Sequence, residues 1–144
     1  MSSTPGASFR VTISPLILVV DDNDDNREMY AGYLQWAGFR VTKATNGHEA
    51  LVAARIHHPA VVVLDIYMPG IDGWEVCRLL KANSATSHCS IIMLTGDAFT
   101  RPADAECDAY LLKPCLPDTL LAEVRRQLEL RGHRSSGPST DDLV

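Results

Sequence analysis

Five short runs of mostly apolar residues recur along the chain: Leu16 to Val20, Phe39 to Ala44, Ala60 to Leu64, Ser90 to Leu94 and Asp108 to Leu112. Four of them are almost continuously hydrophobic, which is the signature of strands covered on both faces. A strand with one wet face would alternate instead. The stretches between the runs are longer, charged and amphipathic, as helices are. Strand and helix in strict alternation predict a parallel sheet with right-handed crossovers and helices on both sides, an α/β doubly wound domain of five strands.

The intervening stretches carry helix signals. In the first, Met29, Tyr33, Trp36 and Ala37 recur at helical spacing after an Asp-rich start, and Gly38 offers a stop, so these four are expected to face inward. The second opens on Asn46 as N-cap with Glu49 three residues on, and turns Leu51 and Ala54 to the core. The third opens on Asp72 with Glu75 and presents Val76, Leu79 and Leu80. The last has Pro117 in its first turn and Leu120, Val124 and Leu128 along one face. Residues 1–14 read as a flexible leader, 15–131 as the domain, and 132–144 as a flexible tail or the start of a linker, because both ends are rich in small and polar residues.

Size and charge narrow the function classes. A chain of 144 residues buries about 70% of the surface its unfolded form exposes, enough for a core without metal or disulfide staples. The net charge of −5 opposes long-range attraction to nucleic acid and anionic lipid. No direct nucleic-acid partner and no membrane partner are therefore expected, and no apolar run approaches the ~20 residues that span a bilayer. Cys77, Cys89, Cys107 and Cys115 show no metal-ligand spacing and no disulfide framework, and a reduced, cytoplasmic setting is expected.

In a doubly wound sheet, ligands bind beyond the carboxyl ends of the strands. Here those ends carry Asp21 and Asp22, Asp65, Thr95, and Lys113 with Pro114. Singly, each has an ordinary reading: an Asp pair caps a helix, an Asp starts a turn, a Thr bonds backbone, a Lys is solvated. Together, in this order at one edge, they describe a site. Crowded carboxylates need a cation to stay ionised at neutral pH, and an all-oxygen site with few protein ligands suits Mg²⁺. Lys113 can balance charge on a phosphoryl oxygen and the Thr95 hydroxyl can donate to another. That leaves a carboxylate as nucleophile, and aspartyl phosphate is a recognised covalent intermediate.

The runs Leu18-Val19-Val20-Asp21-Asp22, Val63 through Gly73 (VLDIYMPGIDG), Leu94-Thr95-Gly96 and Tyr110-Leu111-Leu112-Lys113-Pro114 resemble the receiver domain of two-component response regulators, over Leu16 to about Leu130. The resemblance implies the flavodoxin-like strand order 2-1-3-4-5. It implies that Asp65 accepts a phosphoryl group from a sensor histidine kinase or histidine phosphotransfer protein. Asp22, Asp65 and the Tyr67 carbonyl would ligate Mg²⁺, with Asp21 acting mainly through a metal-bound water. Lys113 and Thr95 would bind the phosphoryl group, Tyr110 would be the switch aromatic, and Pro114 would follow a cis peptide bond. The implied function is a phosphorelay switch that controls an unknown downstream protein and catalyses only its own phosphorylation and dephosphorylation. A homodimer is left open.

One stretch departs from that pattern. Thr95 and Lys113 stand eighteen positions apart, several fewer than in the family, and Pro102 interrupts the gap. The helix between the fourth and fifth strands is therefore expected to be shortened or irregular over 97–106, which puts the usual output face in doubt. Tyr67 and Asp97 would flank a phosphoryl group on Asp65, and the Tyr67 ring is expected to slow attack by water. Two other functions on this fold stay in view: a phosphorylation-independent interaction module, and the receiver part of a longer kinase or transcription factor. A flavin or nucleotide carrier is disfavoured because the loop after the first strand is acidic rather than Gly-rich. A phosphatase with an aspartyl intermediate would want a second Asp where Tyr67 stands.

Overall fold

The computed structural model describes residues 14–96 and 105–142, with side chains to Gly132. The elements run β1 (Leu16–Val20), α1 (Asp24–Trp36), β2 (Arg40–Ala44), α2 (Gly47–His57), β3 (Val61–Asp65), α3 (Gly73–Ala82), β4 (Ser90–Thr95), β5 (Ala109–Leu112) and α4 (Pro117–Asp142). All strand pairs are parallel and the sheet order is β2-β1-β3-β4-β5. Each strand lies within a residue or so of its apolar run.

Period-two alternation divides the strand residues between two cores. Leu18, Val20, Val62, Leu64, Ile91 and Met93 face α2 and α3, with Val76 and Leu80 among the residues packed there. Ile17, Val19, Val61, Val63, Ile92 and Leu94 face the other way, against Tyr30 and Leu34 of α1 and Leu120 and Val124 of α4. Each such side chain taken from water contributes roughly 1.5–3 kcal/mol, so two dry faces explain why the strands lack polar alternation. The helix starts are capped as their sequences suggest: Asn23, Asn46 and Asp72 side chains accept from the backbone N–H of Asn26, Glu49 and Glu75.

Helix α1 corrects the sequence reading. Its buried residues are Arg27, Tyr30, Ala31 and Leu34, whereas Met29 is 43% and Trp36 77% exposed. Two stripes at helical spacing compete on this helix. The one that wins lets Tyr30 donate its hydroxyl to the Cys115 carbonyl at 2.7 Å and Arg27 reach the end of β1. Tyr33 and Ala37 of the expected stripe do pack, half-buried, against this core, and the Tyr33 ring lies 5.5 Å between centroids from that of the exposed Trp36. At the other end of the chain, α4 runs on to Asp142 through residues the composition gives to a tail. Extending a helix already anchored by packing costs far less than starting one. The expectation of a shortened helix between β4 and β5 falls on residues 97–104, outside the described residues; Ala105 to Cys107 are not helical.

Candidate functional site: an acidic cluster at the carboxyl edge of the sheet

Because β1 lies between β2 and β3, the crossovers from β1 and β3 leave in opposite directions and open a crevice at the carboxyl ends of these strands. Asp21 ends β1 there. It is 1% exposed, its N–H extends the ladder to the Ala44 carbonyl, and its Oδ1 accepts from the Asn23 N–H at 2.9 Å. Oδ2 is buried with no hydrogen-bond partner. Asp22 is exposed beside it. Asp65 ends β3 and is 5% exposed. One carboxylate oxygen from each of Asp21, Asp22 and Asp65 lies within 4.8 Å of the others.

Two further strands close the site. Thr95 ends β4 and is buried, and its carbonyl accepts from the Lys113 N–H at 2.8 Å. Just past β5, the Lys113 ammonium donates to Asp65 Oδ1 at 3.0 Å. The Lys113–Pro114 peptide bond is cis. The five polar residues singled out in the sequence are therefore gathered at one edge. Tyr67 follows β3 with its ring largely in solvent. Tyr110 on β5 pairs with Met93 in register and turns inward, its ring 5.9 Å from that of Trp74 on α3.

The electrostatics favour a cation. Burial, then the neighbouring carboxylates of Asp65 and Asp22, push the Asp21 carboxyl above its usual range, against the Asn23 N–H and the Lys113 ammonium, which lower it. An unpartnered buried carboxylate oxygen, aligned with two more hard oxygens, fits a hard divalent cation such as Mg²⁺. The raised value has a definite stability sign. The folded state holds a proton on Asp21 more tightly than the unfolded chain does, so without cation stability rises as pH falls from neutral through the folded pKa towards 3.8, and flattens below it. A salt-bridged carboxylate would do the reverse. Thermal melts across that window in EDTA are expected to show this rise from Asp21, and Asp21→Asn is expected to remove it. At neutral pH added Mg²⁺ is expected to raise the midpoint.

Two residues that shape the site have no role in the sequence reading. Arg27 is nearly buried; its Nη1 donates to the Asp21 carbonyl at 3.0 Å and its Nη2 pairs with Asp24 at 2.6 Å, so it holds the β1–α1 turn that presents Asp21 and Asp22. A charged residue on a helix gives no sequence signal that it faces inward. Gly73 starts α3 against the far side of Asp65: a Cβ there would stand 2.6 Å from the Asp65 carbonyl oxygen and 2.8 Å from Ile66 Cα. Its own N–H bonds the Ile66 carbonyl at 2.8 Å. The signal was a glycine in the first turn of a helix, a costly place for one unless space demands it.

Comparison with known proteins agrees with this geometry. The family profile for the response regulator receiver domain matches residues 17–125. The chain is 37% identical over 121 residues to the DNA-binding response regulator MtrA of Mycolicibacterium smegmatis, covering 81% of this chain and 52% of that protein. It is 40% identical over 116 residues to the probable transcriptional regulator ycf27 of Cyanophora paradoxa, covering 78% and 47%. The chain thus spans about half the length of these curated relatives. Among solved structures, chemotaxis response regulator CheY4 of Vibrio cholerae superposes with a TM-score of 0.74 at 31% identity, covering 81% of this chain and 99% of that one. The receiver domain of a histidine kinase from Syntrophus aciditrophicus gives 0.75 at 28% identity, covering 81% and 91%. A profile match across most of the chain, a shared sheet order and an acidic cluster closed by a lysine converge: the chain belongs to the response regulator receiver domain family.

Proposed function

We propose that this domain receives a phosphoryl group on Asp65 from the phosphohistidine of a sensor histidine kinase or phosphotransfer protein and relays the event to a downstream protein. The observation that carries the reading is Asp65 itself: nearly buried, its Oδ1 held by Lys113, its carboxylate within reach of Asp21 and Asp22. In the transfer, an Asp65 carboxylate oxygen forms a bond to phosphorus as the histidine nitrogen–phosphorus bond breaks, and the imidazole leaves. Asp21, Asp22 and Asp65, with the Tyr67 carbonyl, would hold Mg²⁺, which when bound supplies positive charge to the phosphoryl oxygens. Lys113 supplies a further positive charge from the β5 side. The Thr95 hydroxyl donates to a phosphoryl oxygen.

Phosphorylation adds roughly −1.5 to −2 charges and three strong acceptors at Asp65. The domain responds to the extent that Thr95 and Lys113 bond those acceptors better in one arrangement than in another, and Tyr110 is the aromatic that follows. It is a switch and not an enzyme on other substrates. The outward apolar side chains of Met29, in the first half of α1, and Leu116, just before α4, offer the kinase or phosphotransfer protein a surface at the end of the domain that carries the acidic site. The relatives' names, a DNA-binding response regulator and a probable transcriptional regulator, support the reading that a receiver of this kind controls an output. Four reduced thiols suit a cytoplasmic setting.

Intact-mass measurement after incubation with Mg²⁺ and acetyl phosphate tests the proposal. One phosphoryl adduct is expected, and chelation by EDTA is expected to prevent it. A folded protein that gains none with Mg²⁺ present would instead be a donor-restricted or phosphorylation-independent interaction module, and incubation with a phosphorylated histidine phosphotransfer protein separates the two. Once the adduct is formed, Tyr67→Ala is expected to lose it several-fold faster than the wild type, because the ring restricts approach of water; equal decay rates would remove that role.

A further inference from the structure

The backbone of Asp21 is held on both sides. Its N–H bonds the Ala44 carbonyl of β2 at 3.2 Å, and its carbonyl accepts from Arg27 Nη1 at 3.0 Å. The second contact fixes the plane of the peptide that leads into Asp22. A side chain leaves from its backbone, so this plane sets the direction in which the Asp22 carboxylate departs. Asp21 has an anchor of its own, the Asn23 N–H on Oδ1. Asp22 is exposed, and its carboxylate has no hydrogen bond or ion pair among the described residues, which leaves the peptide plane as its guide. A guanidinium is an awkward neighbour for a cation site, because its charge repels the ion. Here that charge is taken up: Asp24 Oδ1 lies 2.6 Å from Nη2, and Glu28 Oε2 lies 3.6 Å from Nε. Glu28 in turn pairs with Lys43 of β2 at 2.8 Å. The five-donor fork of an arginine can serve a carbonyl and two carboxylates at once, which a lysine ammonium on its flexible stem does far less well.

On the reading that Asp21, Asp22 and Asp65 hold Mg²⁺, we propose that Arg27 is a positioning residue for that site: it aims the Asp22 carboxylate through the Asp21 carbonyl, and Asp24 neutralises the charge that this service brings. Positioning and charge predict opposite signs. Were the charge of Arg27 what mattered, Arg27→Met would lift a repulsion and tighten Mg²⁺ binding. Because Arg27 acts through the backbone, the same substitution weakens binding, by about tenfold, the lower end of what is lost when a group that orients a metal ligand is removed. The effect depends on there being a carboxylate to aim. In a chain that carries Asp22→Asn, Arg27→Met therefore brings no further loss. Asp24 acts in the other half of the device. With Asp24→Asn the guanidinium keeps an acceptor but loses its nearest counter-charge, and Mg²⁺ binding weakens through repulsion.

The experiment follows the thermal midpoint of the full chain over a series of MgCl₂ concentrations at constant ionic strength, with a melt in EDTA for every variant. The rise with Mg²⁺ reads affinity, and the EDTA melt reads any loss of stability separately. The expected result is about tenfold weaker binding for Arg27→Met, no added weakening on top of Asp22→Asn, and a several-fold weakening for Asp24→Asn. Asp25→Asn removes the same charge from the same turn of α1 without touching Arg27, and is expected to stay near the wild type. Equal or tighter binding by Arg27→Met, the same tenfold loss in the Asp22→Asn chain, or equal effects of Asp24→Asn and Asp25→Asn would each overturn the proposal. A wild-type midpoint that ignores Mg²⁺ would instead overturn the reading of the cluster as a Mg²⁺ site, and the role of Arg27 with it. The Asp24 side chain is 83% exposed, so its substitution spares the core, and the comparison with Asp25→Asn decides even where Arg27→Met folds poorly.

Discussion

Asp65→Asn is expected to reduce phosphoryl incorporation from acetyl phosphate to background without loss of fold. The substitution keeps the shape of the side chain and leaves an oxygen that can still accept from Lys113, now 3.0 Å from Asp65 Oδ1. It removes the anionic oxygen that would form the bond to phosphorus. It also removes one of the two neighbouring carboxylates that raise the Asp21 carboxyl, so the thermal midpoint in the absence of Mg²⁺ is not expected to fall. Intact mass and a thermal melt on the same preparation read both effects. An adduct at the wild-type level would move the phosphoryl group to another side chain and end the assignment of Asp65.

Gly73 carries the second large effect. Adding a methyl group there sets a carbon 2.6 Å from the Asp65 carbonyl oxygen and 2.8 Å from Ile66 Cα, and both are backbone atoms that no side-chain rotation can clear. Either α3 lifts from the sheet or the end of β3 shifts. Overpacking of this kind costs about 1–3 kcal/mol, occasionally more. For a domain of this size that is a drop of roughly 4–10 °C in the midpoint. Gly73→Ala is also expected to slow phosphorylation well below what the small unfolded fraction explains, since the strain falls on the residue that takes the phosphoryl group. Gly32, in α1, is the control, because a methyl group added there would meet nothing within 4 Å. Gly32→Ala is expected to leave phosphorylation unchanged and to stabilise by up to about 1 kcal/mol. Equal melts for Gly73→Ala and the wild type would show that the close approach relaxes without cost.

The sheet was legible because burial on both faces leaves so plain a mark. Val61, Val62, Val63 and Leu64 can be nothing but interior, and the polar residue ending each such strand is then forced to the edge where ligands bind. Asp21, Asp65, Thr95 and Lys113 could be placed together from that rule alone. Helix α1 was harder. Two stripes of comparable hydrophobicity run along it, and the choice between them is made by the Tyr30 hydroxyl and the Arg27 guanidinium finding carbonyls on other segments. No local pattern encodes a partner that is eighty-five positions away in sequence. Gly73 was hidden for a related reason: what it avoids is the backbone of another element. The short spacing from Thr95 to Lys113 and Pro102 marked 97–106 as unlike its family, yet periodicity offers no replacement structure for it.

The inward turn of Tyr110 has an optical consequence. The protein has two tryptophans, and their surroundings differ sharply. Trp36 stands 77% exposed on α1, whereas Trp74 is partly buried with Tyr110 at 5.9 Å between ring centroids. Water-soluble quenchers reach the first far more easily than the second. Emission that survives quenching therefore comes mainly from Trp74, and any rearrangement that withdraws the Tyr110 ring changes its colour and yield. The domain carries a built-in gauge of its own β5 aromatic, readable in a cuvette without a label and with Trp36→Phe as the means of silencing the background.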